Sequence, residues 1–562
     1  IDITADSVNQ NAGGNISTGS SAAINVTADN GNITMASGTT TTSSTGQIAY
    51  RARNNIALST LTSSGATIVV TADSDGGGGG AISDNLNGEL DDVTARFNIV
   101  GLQTALRAGS GIGSDALGGL LDLDLQVTNV AALTKSGDIH LRNSGALNIE
   151  TVDLLSGVKI DNSDGSPTTG DDIIISATSP VTITDLDPVV NNDGGNIVFA
   201  AEGNADGDDL TINADITVTN GDAALDGDGN IILIAGDSVI TQASPARVIS
   251  TDNAGQVFLL AGTDFNNFPS TGAILNGSAG GDVVMGDGSQ VRTDDGVVGL
   301  AAPDDVLLSI VNANADSDTA LGDVVVEADF FGVEGTFANG TGAISDNLTG
   351  EAANVIAGSA IFLGCGNAAS NGTGIGDDAA ADNDIDTQIS NLAALTERGD
   401  IAIDNTGALT IGNGSGGAVS ISLPGLPNAP TYTLSGVTIV DDPSVNDADD
   451  SGTDNIWITA SSPVTVDAGN PVVNNDGGNI TLGAEGTGVG DDLTLYDNVR
   501  VTGGDGAIDG DGNIYLYAGD TIDLAAATVL VSVDASGTVL LSAGCDYNNN
   551  APQDGNSGGD VS

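Results

Sequence analysis

The pentapeptide DGDGN occurs twice, at Asp226, Asp228 and Asn230 and again at Asp509, Asp511 and Asn513. Each copy sets hard oxygen donors at alternate positions around glycines, as calcium loops do. The distal bidentate Glu of an EF-hand is missing, so a tight polar turn competes with Ca2+ binding for these six residues. A second arrangement is the paired carboxylate, which inverting polysaccharide hydrolases use in suitably spaced pairs. GDD occurs at Gly170, Gly207 and Gly490, which singles out Asp171, Asp172 and Asp208. Such cleavage also calls for cationic or imidazole groups beside the acids, and the chain has 11 Lys plus Arg and one His. That histidine, His140, falls between Ile139 and Leu141 at an outward position and reads as a solvated side chain. Trp457, Tyr515 and Tyr517 read as outward aromatics suited to contact with a partner. Cys365 and Cys545 are too few for a disulfide framework and are expected to be free thiols. No catalytic residue is assigned, and the chain is expected not to be an enzyme.

Charge narrows the partners. Seventy-six Asp plus Glu give a net charge of −65, which opposes binding to nucleic acid or to anionic membrane surfaces. No apolar run is long enough to span a bilayer. Apolar residues still make up 40% of the chain and alternate regularly, so it can build a packed core.

The elements that must position these residues repeat. GAISDNLNGE from Gly80 returns as GAISDNLTGE from Gly342, and AALTKSGDIHLRNSGALNI from Ala131 returns as AALTERGDIAIDNTGALTI from Ala393, both 262 residues on. NNDGGNI at Asn191 returns at Asn474, 283 residues on. In the second copy His140 becomes Ala402, Arg142 becomes Asp404, the pair Asp171 and Asp172 becomes Asp454 and Asn455, and Ile174 becomes Trp457. His140 and Arg142 therefore read as plain surface positions. The expected organisation is the end of one repeat (1–30), long copies over 31–280 and 281–558, and the start of another (559–562).

Within each copy, pairs such as Ile197 and Phe199, Leu210 and Ile212, or Ile231 and Leu233 alternate with outward residues, the period of strands with one buried face. Gly, Asn and Asp between them permit sharp corners. Between Gly145 and Gly157 the offset grows from 262 to 279, an insertion of seventeen residues in the Pro-rich stretch at 412–433. A solenoid accepts such material as a lateral loop or partial coil, because each rung contacts only its neighbours. The residues favour an all-β fold, a β-solenoid of about 20 to 26 residues per coil extending roughly 105 to 135 Å, although a sandwich also tolerates a long surface loop.

GAISD at Gly80, GIG at Gly111, AALT at Ala131, GDIHLRNSGALNI at Gly137 and GNIVF at Gly195 resemble repeats of giant filamentous-haemagglutinin-like bacterial surface proteins. That resemblance implies an all-β, right-handed parallel β-helix (β-solenoid) displayed outside the cell as a stalk or adhesin shaft. The partners expected are further copies or continuing repeats, and cell-surface glycans or proteins. The alternatives are a binding module acting through the insertion around Pro424, Pro427 and Pro430, and, less favoured, a polysaccharide-active β-helix enzyme.

Overall fold

A computed structural model describes residues 1–86, 96–114, 122–161, 170–203, 205–219, 228–242, 247–262, 281–329, 342–350, 352–364, 374–377, 383–426, 429–440, 454–486, 488–502, 512–525, 529–533, 536–544, 546–548, 551–553 and 560–562. Among them there is no helix. The chain forms two compact units, one chiefly of Ile1–Gln242 and Arg247–Val257, the other chiefly of Phe258–Gly262 and Asn267–Ser562.

In the first unit Ile173–Ala177 pairs in parallel with Ile197–Ala201, and that strand with Ile231–Ala235. Val181–Ile183 pairs with Leu210–Ile212, and Val189–Asn191 with Ile216–Val218. Each strand thus meets the third strand after it, so three strands make one turn of a parallel β-solenoid. The second unit repeats the scheme: Ile456–Ala460, Ile480–Ala484 and Ile514–Ala518 are in register, with Ile456 opposite Ile480 and Ile480 opposite Ile514. Coil length varies more than expected. Ile173 to Ile197 is 24 residues, but Ile197 to Ile231 is 34, and the second unit reproduces both values between Ile456, Ile480 and Ile514. The additional residues lie in connections, which leaves the strand register intact.

Inward residues form aliphatic columns. Ile173, Ile197 and Ile231 are fully buried one above another, as are Ile456, Ile480 and Ile514. Each such side chain contributes about 1.5–3 kcal/mol on full burial. The three-residue strands bury one face, as Leu210–Ile212 shows, with Thr211 partly exposed between two buried residues. The five-residue strands depart from that expectation, because Ile197–Ala201 and Ile231–Ala235 are buried at every position. Both faces of these strands are covered, the usual condition of a parallel sheet.

NNDGG is the corner that lets the coil turn. Asn191, fully buried, donates from Nδ2 to the carbonyls of Asp171 (2.7 Å) and Gly195 (3.0 Å), while its Oδ1 accepts from the Asp193 amide (3.0 Å). Asn474 repeats this, donating to the Asp454 carbonyl (2.7 Å) and accepting from the Asp476 amide (2.9 Å). Gly194 and Gly477 hold left-handed backbone, φ 71° and 77°. A Cβ at Gly195 would come within 2.1 Å of the Asp171 carbonyl oxygen, so the second glycine is needed for close approach of adjacent coils.

Candidate functional site

The corner residues just before the strands form ladders that absorb much of the predicted chemistry. In the first unit the Asp172 amide donates to Asp138 Oδ1 (2.9 Å), the Asn196 amide to Asp172 Oδ1 (2.7 Å), the Asn230 amide to Asn196 Oδ1 (2.9 Å), and the Gln256 amide to Asn230 Oδ1 (3.0 Å). The second unit builds the same ladder through Asp400, Asn455, Asn479, Asn513 and Thr538. Asn230 and Asn513 thus spend their carbonyl oxygens on the coil above. Asp226, Asp509 and Asp511 lie outside the described residues, and Asp228 is half-buried. Gly229 sits against the corner of the coil below, where a Cβ would meet the carbonyl oxygens of Gly194 and Gly195 at 2.6 Å, and Gly512 repeats this against Gly477 and Gly478. This part of DGDGN therefore serves as a stacked corner. Among the described residues, carboxylates cluster closely enough to hold a cation at three other places: Asp282, Asp304 and Asp305; Asp295, Asp316 and Asp318; and Asp384, Asp386 and Asp404.

The paired carboxylates are committed to structure as well. Asp171 Oδ2 accepts from the Gly137 amide, and Asp454 Oδ2 from the Gly399 amide (2.7 Å). Burial, and after it the Asp138 carboxylate, pushes Asp172 above the usual carboxylate range, against the pull of hydrogen bonds from Asn196. Asp208, 8% exposed, accepts from the Ala205 amide (2.8 Å).

Three side chains depart from the surface positions expected of them. His140 is 5% exposed, with Nε2 3.9 Å from Asp138 Oδ2, and its counterpart Ala402 is fully buried. Tyr517 is also 5% exposed, so it is not available as an outward contact. Tyr517 occupies an outer position of the five-residue strand Ile514–Ala518 and His140 an outer position of the long strand Asn129–Asn143, where a covered face removes the solvent that alternation alone predicts. Arg142 pairs with the buried carboxylate of Glu202 at 3.6 Å instead of lying on a plain surface. Trp457 and Tyr515 are half-buried in one column, separated by Thr481, and the Tyr515 and Tyr517 rings stack with centroids 6.5 Å apart. Cys365 and Cys545 lie outside the described residues.

The insertion is an antiparallel hairpin, with Val419–Ser422 pairing Thr431–Leu434. Its origin is visible in the first copy. There Val152 and Leu155 form a single antiparallel bridge around Asp153 and Leu154, at φ 49° and 63°. Val152 and Leu155 pack on Ala105, Ala131 and Leu133. The bridge Val152 to Leu155 corresponds to Val419 to Leu434, and Ser-Gly follows both, so the second copy lengthens an existing turn. Val419, Ile421, Leu423 and Leu426 are at most 5% exposed. With Tyr432 the tip closes a cavity of about 10 Å³ against Phe258, Leu260, Leu300, Val325 and Glu327.

Glu327 is a feature that alternation did not single out. It stands at an outer position of Val324–Ala328, opposite Ala301 on one side and Leu363 on the other. Tyr432 hydrogen-bonds its carboxyl, while Oε2 is buried without a hydrogen-bond partner. Burial pushes this acid up to about 8. The signal in the sequence was a lone Glu in DVVVEAD, where the first copy has Thr71 in IVVTAD. No family model, curated protein or solved structure matches the chain.

Proposed function

We propose that the chain is a structural or adhesive shaft: an extracellular β-solenoid segment of a bacterial cell-surface protein, part of a longer repetitive fibre of the filamentous-haemagglutinin-like kind. The observation that carries this reading is the repetition of coil register, in which Ile173, Ile197 and Ile231 recur as Ile456, Ile480 and Ile514 with the same spacings. The second copy keeps the core columns and ladders while His140 becomes Ala402 and Asp172 becomes Asn455, so the repeat does not depend on these two reactive groups. The work is mechanical. Backbone hydrogen bonds join each coil to the next, and the net charge of −65 disfavours indiscriminate contact. Its partners are further copies or continuing repeats, and glycans or proteins at the surface where the fibre ends.

Electron microscopy of native material, with antibody labelling of intact cells, tests this reading. Labelled fibres outside the cell are expected; label confined to the cell interior, or compact particles, would replace it. Release of reducing sugars by the purified protein, lost in D171N or D208N, would favour the enzyme instead.

A further inference from the structure

The insertion hairpin does more than cover an apolar face, because it also covers a carboxyl group. Val419, Ile421, Leu423 and Leu426 of the hairpin are buried, and the apolar residues Phe258, Leu260, Leu300 and Val325 line the cavity that it closes. Gly299 adds to the fit, since a Cβ there would come within 2.9 Å of the Phe258 ring. Into this contact projects Glu327, with one carboxyl oxygen buried and unpartnered. A protonated carboxyl tolerates such a place, whereas a carboxylate requires hydration or a cation. Of the titratable groups facing it, Tyr432 on the hairpin offers a hydrogen bond, and Asp329, just past the end of its own strand, adds negative charge. Its neighbours across the sheet, Ala301 and Leu363, carry no charge.

We propose that the hairpin over residues 419–434 is a proton-controlled clasp, lying on the outer face while Glu327 is protonated and lifting when that carboxyl must ionise. Lifting gives the carboxylate water and uncovers the apolar strip beneath. The sign follows from burial. The acid is held up to about 8 under the hairpin, against an ordinary value of 4.5 once released, so closure is favoured at low pH and is lost as pH rises towards 8. Between those limits the ratio of open to closed hairpin grows about tenfold per pH unit, and above them it levels off.

Hydrogen exchange of the full chain from pH 5 to pH 9 tests the clasp, with each rate divided by that of an unstructured peptide of the same sequence. The amides of Val419–Ser422 and Thr431–Leu434 are expected to lose about tenfold of protection per pH unit up to about pH 8 and then level off, while those of Ile480–Ala484 stay flat. E327Q, which cannot ionise, should abolish the slope. A flat profile in the unaltered protein, or an unchanged slope in E327Q, overturns the proposal. Should E327Q fail to fold, Y432F decides. The Tyr432 hydrogen bond favours the ionised form, so its loss should move the levelling-off to higher pH; an unmoved profile again overturns the clasp.

Discussion

Leu186 holds a left-handed backbone, φ 69°, with its side chain 80% exposed. Its counterpart in the second copy is Gly469, at φ 80°. The corner evidently requires this conformation, which glycine adopts freely and leucine adopts at a cost of about 1–2 kcal/mol. Burial does not repay that cost. L186G is therefore expected to raise stability by about 0.5–1 kcal/mol, after allowance for the larger entropy of glycine in the unfolded chain; an unchanged or lower urea midpoint would contradict this. Asn191 gives the opposite case. Its amide satisfies the carbonyls of Asp171 and Gly195, and an alanine would leave these acceptors without that donor inside a corner. N191A should cost about 2–3 kcal/mol by urea unfolding, with N474A costing a similar amount because its bonds are the same in kind.

The ladders make a sharper prediction at the level of the element, because their accepting side chains differ between the two copies at a single rung. At the rung of Asp172 the second copy has Asn455, which accepts from both the amide and the Nδ2 of Asn479 much as Asp172 accepts from those of Asn196. Burial and Asp138 raise Asp172, so the folded state holds its proton more tightly than the unfolded chain does. The stability from this group is fully present below the ordinary carboxylate range and is lost as pH rises through the raised value. D172N keeps the acceptor and removes the charge. It should raise the unfolding midpoint at pH 7 and lose that advantage in acid, and an equal gain at both pH values would mean that charge is not the cause. Asp305, raised by burial and after it by Asp282, is an acidic rung of the same kind. The columns and their register were legible in the sequence because alternation reports which residues face inward. The covering of the outer face was not, because it depends on which distant segment folds back. His140 and Tyr517 were misplaced for that reason, and Glu327 was passed over. The hairpin could be read as an insertion from the offset between copies, but its antiparallel pairing depends on Val419 meeting Leu434, a contact that strand periodicity does not encode.

At the scale of the whole molecule, 76 acidic residues against 11 basic ones set the response to pH and salt. Most proteins lose stability as carboxylates in favourable ion pairs become protonated. Here burial raises Asp172, Asp305, Asp323 and Glu327, the last to about 8, and each contributes stability that is lost as pH rises through its folded value. Asp73 runs the other way: desolvation would raise it, but Lys135 at 2.7 Å and backbone amides together outweigh that and hold it below the usual range, so its contribution disappears only as pH falls through that lowered value. The expected profile rises from pH 8.5 to about pH 5 and turns down only in stronger acid. Glu327 alone is worth on the order of a few kcal/mol across that interval. Two causes share the rise, and they separate experimentally. Repulsion among solvated carboxylates is screened beyond about 10 Å at 0.1 M salt, whereas the desolvation of Glu327 is not. Urea midpoints measured at pH 5 and pH 8.5 should therefore differ less in 0.5 M than in 0.02 M NaCl, and the difference that survives high salt should shrink in E327Q to the part due to Asp172, Asp305 and Asp323. A difference removed entirely by salt in the unaltered protein would assign the whole effect to surface repulsion and leave the buried acid without influence on folding.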